Sequence, residues 1–371
     1  MDKLKVIIDC DIPFIKGVLE PYCTVIYVKG GAINNNITID AHALIVRTRT
    51  KCTKELLHGS SVKAIFSATI GRDHIDLDYC KREGISVFNA AGCNANGVVQ
   101  YVLTTLFALA IKKNINILGK TIGIIGAGNV GERLALLMEK LGFSVLRCDP
   151  PKSLVNNSVP YYDLDYVLEN SHIITLHVPF SSETKSMCSC NFLEKMKKGA
   201  ILVNSSRGEV VDEAAVMAFN GKLGGLIIDV WNNEPNINKD FLAITDIATT
   251  HIAGYSLEGK INATVMSILS FAHYFSIDQL KNFHIDLPSS KPIDFTAFSN
   301  LINLTDTIAT SSEISSAIAQ LLLELFPVWE QNLKLIANPI QFEKIRGEYI
   351  YRRELPPSVI SELEKLLSGG I

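Results

Sequence analysis

Residues 120–149 read KTIGIIGAGNVGERLALLMEKLGFSVLRCD, and this stretch decides the fold. Thr121 to Ile125 is a short apolar, β-branched run suited to a buried parallel strand. Gly126, Gly128 and Gly131 follow as G-x-G-x-x-G. From Asn129 to Leu141 apolar residues recur at Val130, Leu134, Leu137, Met138 and Leu141, the spacing of a helix that Gly142 ends. Ser144 to Cys148 then makes a second strand. Gly126 permits a tight turn, Gly128 lets a pyrophosphate approach the backbone, and Gly131 lets helix pack on strand. The N–H groups of Asn129 and Val130, with the dipole of the helix they open, suit that anion. Asp149 comes 18 residues after Gly131 (149 − 131), where an acid accepts hydrogen bonds from a ribose diol. It would repel the extra phosphate of NADP, so NAD is the expected cofactor.

Working outward, 371 residues exceed one ordinary core, so two or three domains are expected. With 47% apolar and 20% charged residues the chain is globular rather than disordered. A net charge of −3 offers no polycationic face for nucleic acid. The opening MDKLKVIIDCDIPF lacks the sustained apolar run of a signal peptide. The longest apolar patch, Val98 to Ile111, is broken by Gln100, Thr104 and Thr105 and is too short to span a membrane. Eight scattered cysteines, of which only Cys188 and Cys190 are close, make a poor zinc site and read as reduced thiols. These features point to a cytoplasmic protein without a metal.

Before the glycine stretch, Leu4–Ile8, Thr24–Val28, Ala43–Val46, Val62–Phe66 and Ile85–Phe88 read as strands alternating with short helices, a small open parallel sheet. It has no glycine fingerprint and suits a lid or substrate lobe. After it, Ile173–Leu176, Ile201–Asn204, Leu226–Val230 and Ile247–Thr250 read as further strands. The fold class is therefore α/β, two doubly wound parallel-sheet domains of Rossmann or flavodoxin-like kind. A long helix over Ser256–Phe275 would return the chain to the first lobe. That gives a discontinuous domain of residues 1–96 and 256–286 around a nucleotide domain of residues 97–255. Leu287 to Pro292 reads as a linker, and residues 287–371 as a unit of their own. In it, Thr310–Glu313 is a capping-box pattern, Phe342–Glu354 a charged helix and Ser358–Leu367 an amphipathic one.

The reacting groups should lie at the carboxyl ends of later strands. Arg207 follows Ile201–Asn204, Glu234 follows Leu226–Val230, and His251 follows Ile247–Thr250. Those residue types suit oxidation of a 2-hydroxy acid. A guanidinium grips the carboxylate through its planar fork. An imidazole takes the hydroxyl proton, and a glutamate beside it stabilises the charge that results.

The segments NSSRGEVVDEAAV, DVWNNEP and THIAGYSLEG resemble signatures of the D-2-hydroxyacid dehydrogenases. SATIGRDHIDLDYC, AAGCNANGVVQYV, RCDPPKS, HIAGYSLEGK and FEKIRGEYIYRRE carry the resemblance along nearly the whole chain, including a C-terminal unit that ordinary members lack. The resemblance implies Arg207 and Glu234 as catalytic residues and His251 as acid/base. It implies Asp149, Asp229 and Gly254 at the cofactor, with backbone near Val178 beside the nicotinamide half. Thr48, Thr69 and Tyr255 match substrate positions, the substrate being a small phosphorylated 2-hydroxy acid. The C-terminal α+β domain is implied to build a homodimer. The chain departs from the family with Thr48 in place of serine, Val178 of threonine, Gln100 of glutamate and Ser206 of cysteine. For the phosphate the sequence offers Arg47, Arg72 and Arg346 without choosing among them. Two other readings stay open: a different 2-hydroxy acid such as 3-phosphoglycerate, or a non-catalytic NADH-sensing interaction protein on the same fold.

Overall fold

The structure, a computed structural model, describes residues 3–155, 159–289, 293, 295 and 310–368. Its contacts divide the chain into two compact units, Met1–Asn94 with Ser256–Ser289, and Ala95–Tyr255 with Ser290–Ile371.

The first unit holds five parallel strands, β1 (Lys5–Asp9), β2 (Thr24–Val28), β3 (Ala43–Val46), β4 (Ala64–Ser67) and β5 (Ser86–Asn89), in the order β2-β1-β3-β4-β5. Successive side chains point to opposite faces. Val6, Ile8, Ala43, Ile45 and Phe66 join one core, while Ile7, Leu44, Val46 and Ile65 join the other. Both faces being covered explains why these strands read as unbroken apolar runs. The helix Leu257–Tyr274 lays Ile268, Phe271 and Ala272 into the first of these cores. There Phe66 meets Phe271 edge to face at 5.4 Å and stacks on Phe88 at 5.0 Å.

The second unit holds six parallel strands, β6 (Thr121–Ile125), β7 (Ser144–Cys148), β8 (Ile173–Leu176), β9 (Ile201–Asn204), β10 (Gly225–Ile228) and β11 (Ile247–Ala248), in the order β11-β10-β9-β8-β6-β7. The chain runs from β6 outward to β7, then back across to β8. That reversal is the switch point at which doubly wound sheets bind ligands. The last two strands stop short of the sequence expectation, β10 at Ile228 and β11 at Ala248. Beyond those points Val230 and His251 belong to loops tied down by side chains, described below.

The helix Ala95–Lys113 is long and apolar enough to cross a membrane, but its residues from Val98 to Ala110 are buried in a protein core. That core also takes Ile314, Ile318 and Leu322 of the helix Ser311–Leu325, and Val359 and Leu363 of the helix Pro357–Ser368. The capping box forms, with Glu313 N–H on the Thr310 hydroxyl at 3.3 Å and Thr310 N–H on the Glu313 carboxylate at 2.8 Å. A helix over Val328–Ala337, unforeseen from the sequence, lies between them. The charged helix runs only from Phe342 to Gly347 rather than to Glu354. It ends so that Arg352, 7% exposed, can enter the interior and donate to the carbonyls of Gly97, Ile252, Ala253 and Tyr255. Among the described residues the longer elements of this segment are helices, with a single bridge residue at Arg352; the expected linker falls partly, and residues 296–309 wholly, outside them. All eight cysteines are free, and six are buried.

Candidate active site

The glycine turn leaves β6 toward the switch point. Gly126 has φ +88°, and a Cβ there would sit 2.6 Å from the carbonyl oxygen of His177. A Cβ on Gly131 would stand 2.0 Å from the Gly126 oxygen, so helix and turn touch through bare backbone. Gly128 faces open space within 4 Å, the free surface a pyrophosphate needs. Asp149 ends β7 and is half-buried. Its Oδ2 accepts the Ala127 N–H at 2.9 Å and its Oδ1 the Lys152 N–H at 3.0 Å, so Asp149 and the glycine turn are one construction. Val178 follows β8, with its side chain against Gly126. The donor set, the open glycine and the placed acid fit an NAD molecule.

Beyond β9, Asn204 pins the loop that carries Arg207. Its side-chain oxygen accepts from Ser206 N–H at 3.1 Å and Ser206 Oγ at 2.8 Å, and its amide donates to the Arg207 carbonyl at 2.8 Å. Arg207 is half-buried and gives one guanidinium N–H to the Ser206 carbonyl at 2.7 Å. Gly208 is pressed on the Trp231 carbonyl, where a Cβ would approach to 2.1 Å. Trp231 in turn donates from its indole to the Thr249 carbonyl at 2.8 Å.

Glu234 and His251 form a pair. Nδ1 of His251 lies 2.9 Å from Oε2 of Glu234, and Oε1 of Glu234 accepts the Trp231 N–H at 3.0 Å. With Nδ1 donating to the carboxylate, Nε2 is the ring atom that can exchange a proton. Burial works to raise the Glu234 pKa, but His251, the Trp231 N–H and Arg346 outweigh it and hold the carboxyl below its usual value. His251 itself has φ +58°, a left-handed conformation that costs energy for a histidine and needs external support. Asp229 supplies that support. Its main-chain oxygen accepts the His251 N–H at 2.7 Å. Its buried carboxylate accepts from the Thr249 hydroxyl at 2.6 Å and from the Ile252 and Ala253 N–H groups at 2.8 Å each. Gly254 and Tyr255 follow directly, half-buried, and Tyr255 Oη accepts from Arg346 Nε at 3.0 Å.

The structure therefore gathers Arg207, Glu234, His251, Asp229, Gly254 and Tyr255 on loops beyond β9, β10 and β11. It sets the glycine turn, Asp149 and Val178 beyond β6, β7 and β8 of the same sheet. Thr48 and Thr69 belong to the first unit, beyond the carboxyl ends of β3 and β4. Thr48 is exposed, and Thr69 shares a hydrogen bond with Ser67 Oγ at 2.8 Å. Two other histidines are kept neutral by burial, His177 down to about 3 and His74 down to about 4. Sequence reasoning missed Asn204, Trp231 and Arg352, which orient the site without carrying a reactive group. Only the motif FEKIRGEYIYRRE signalled that the C-terminal segment mattered.

Such a sheet, with a nucleotide turn at its switch point and an imidazole–carboxylate pair beyond its later strands, defines a nicotinamide-dependent oxidoreductase. Residues 108–253 match the family described as D-isomer specific 2-hydroxyacid dehydrogenase, NAD binding domain. A Bacteroides fragilis protein named erythronate-4-phosphate dehydrogenase is 38% identical over 95% of this chain and 97% of its own. The solved structure of D-lactate dehydrogenase from Aquifex aeolicus, complexed with NAD and lactic acid, is 26% identical. It superposes with a TM-score of 0.62 over 77% of this chain and 100% of its own. NAD-bound 3-phosphoglycerate dehydrogenase from Entamoeba histolytica, also 26% identical, gives 0.63 over 77% of this chain and 99% of its own. The chain belongs to the D-isomer specific 2-hydroxyacid dehydrogenase family. It is an NAD-dependent dehydrogenase of 2-hydroxy acids, with curated relatives that are erythronate-4-phosphate dehydrogenases.

Proposed function

We propose that the enzyme oxidises 4-phospho-D-erythronate at its 2-hydroxyl to (R)-3-hydroxy-2-oxo-4-phosphooxybutanoate, a cytoplasmic step of pyridoxal 5′-phosphate biosynthesis. One observation carries the choice of substrate. The match to the Bacteroides fragilis relative spans 95% of the chain, whereas the D-lactate and 3-phosphoglycerate enzymes stop at 77%. The extra length of this chain is thus shared with the proteins named for erythronate 4-phosphate.

In this reading the glycine turn (Gly126, Gly128), the N–H groups of Asn129 and Val130, Asp149 and the backbone at Val178 and Gly254 hold NAD. Asp229 shapes that wall from behind. Bound there, NAD supplies the hydride acceptor. Arg207 grips the substrate carboxylate and polarises the oxygen that becomes the carbonyl. Nε2 of His251 takes the hydroxyl proton, and Glu234 offsets the charge on the imidazolium. Thr48, Thr69 and Tyr255 contact the substrate. Arg47, which donates to the Asp11 carbonyl at 2.9 Å, and the exposed Arg72 are the phosphate candidates. Arg346 is a poor one, because the carboxylates of Glu234 and Glu343 already face it at 3.9 and 3.6 Å. The C-terminal segment builds a homodimer, a reading supported by exposed Leu333, Ile336, Ile340 and Ile350 on it.

The test compares kcat/KM with NAD for 4-phospho-D-erythronate, 3-phospho-D-glycerate and unphosphorylated D-erythronate. The first should exceed the others by at least about a hundredfold, since a site built for a phosphate leaves its cations unpaired without one. Preference for either other acid would refute the assignment.

A further inference from the structure

We propose that Arg346 is a positioning residue for the dehydrogenation, through which the C-terminal segment sets the charge balance of the Glu234–His251 pair and fixes the hydroxyl of Tyr255. The proposal rests on the reading of Glu234 and His251 as the acid/base pair.

Arg346 stands on the short helix Phe342–Gly347, and its side chain is 22% exposed. Its Nε donates to Tyr255 Oη at 3.0 Å, and its guanidinium carbon lies 5.5 Å from the centre of the Tyr255 ring. Its Nη1 stands 3.9 Å from Oε2 of Glu234, the same oxygen that lies 2.9 Å from Nδ1 of His251. The two distances decide the relation. At 3.9 Å the guanidinium does not compete with the imidazole for a hydrogen bond and acts on the carboxylate as a nearby charge. Glu343, 3.6 Å from Nη1, holds the guanidinium from its own helix. Tyr349 and Tyr351 flank the Tyr255 ring at 6.3 and 6.0 Å, and Arg352 donates to the Tyr349 hydroxyl at 3.1 Å and to the Tyr255 carbonyl at 3.3 Å. Charges that face this cluster include Glu234, Glu343, Arg352 and, once protonated, His251.

The consequence follows from sharing one carboxylate between two cations. With Arg346 beside it, part of the Glu234 charge is already answered, and the carboxyl stays ionised next to the ring. That is the state needed to accept the substrate proton, and it makes proton release after each turnover easier. Tyr255, tied to the same guanidinium, is oriented at once. A phosphate ligand at this position would instead meet two carboxylates.

The test uses full-length Arg346→Gln and Arg346→Lys beside the unaltered enzyme and His251→Ala. The readouts are kcat, KM for 4-phospho-D-erythronate, the pH profile of kcat/KM in the oxidation direction, and NAD affinity by fluorescence as a check of folding. Arg346→Gln should lower kcat about tenfold, within the usual reach of a group that tunes proton transfer. It should leave NAD affinity unchanged and shift the acidic limb of the profile to higher pH, since the lost cation had disfavoured the protonated pair. Arg346→Lys should return the limb toward its original place. An Arg346→Gln protein that binds NAD with an unmoved profile would overturn the proposal. So would a large rise in KM at constant kcat, which marks a substrate ligand. If Arg346→Gln does not bind NAD, Arg346→Lys decides alone: an acidic limb in its original place supports the charge role, and a limb displaced to higher pH with the charge retained overturns it. Undiminished turnover by His251→Ala would instead refute the acid/base reading on which the proposal rests.

Discussion

The histidines near the strand ends divide by what they touch. His251, partly exposed, faces a carboxylate 2.9 Å away. His74 Nε2 meets the Ser67 hydroxyl at 3.3 Å, in a site 3% exposed, and burial, helped by Lys51 and opposed by Asp73, holds its pKa down to about 4. The sign of the linkage follows. The unfolded chain takes up this proton from its ordinary value of 6.5 downward, while the folded chain resists until about 4. Stability present above 6.5 is therefore lost as pH falls from 6.5 to about 4. Urea titrations across that range should show the loss, and His74→Asn should flatten it. An identical slope in both proteins would mean that His74 is not the group responsible. Arg207, Glu234 and His251 could be singled out as candidates in the sequence because each follows a recognisable strand by a few residues. Arg352 was not. A buried guanidinium answered by four main-chain carbonyls leaves no pattern in residue type or spacing.

Elements were legible where burial forced a short, mostly apolar run. The strands Thr121–Ile125, Ser144–Cys148, Ile173–Leu176 and Ile201–Asn204 have the bounds the sequence suggests. The ends of β10 and β11 did not follow, because Asp229 and Glu234 redirect the backbone there through hydrogen bonds that no local propensity encodes. The Phe342 helix was overextended for a similar reason: its continuation has helical composition, but the pull of Arg352 into the core wins. The glycine turn and its helix form the element most sensitive to a single methyl. At Gly131 the added carbon would lie 2.0 Å from a backbone oxygen, so neither atom can yield by rotating a side chain. Gly131→Ala should lower the melting temperature and weaken NAD binding by on the order of tenfold or more, as expected when backbone must move. Calorimetric titration showing unchanged NAD affinity would contradict this account of the turn.

At the scale of the molecule, the C-terminal segment is more than an appendage. It shares one hydrophobic core with the helix Ala95–Lys113, and it sends Arg346 and Arg352 to the loop of residues 252–255. Its exposed apolar residues underlie the proposed homodimer, which light scattering should find at twice the 40.8 kDa chain mass. A monomer at micromolar concentration would remove that proposal. The measurement that bears most directly on the whole account is absorbance at the reduced-nicotinamide band with 4-phospho-D-erythronate and NAD, with and without a 2-oxo acid acceptor. The acceptor distinguishes exchange of the reduced cofactor from its reoxidation in place. The purified protein should form the 2-oxo acid product in at least one of the two conditions, and His251→Ala should form it about a hundredfold or more slowly. No product in either condition from folded, NAD-binding protein would contradict the central claim.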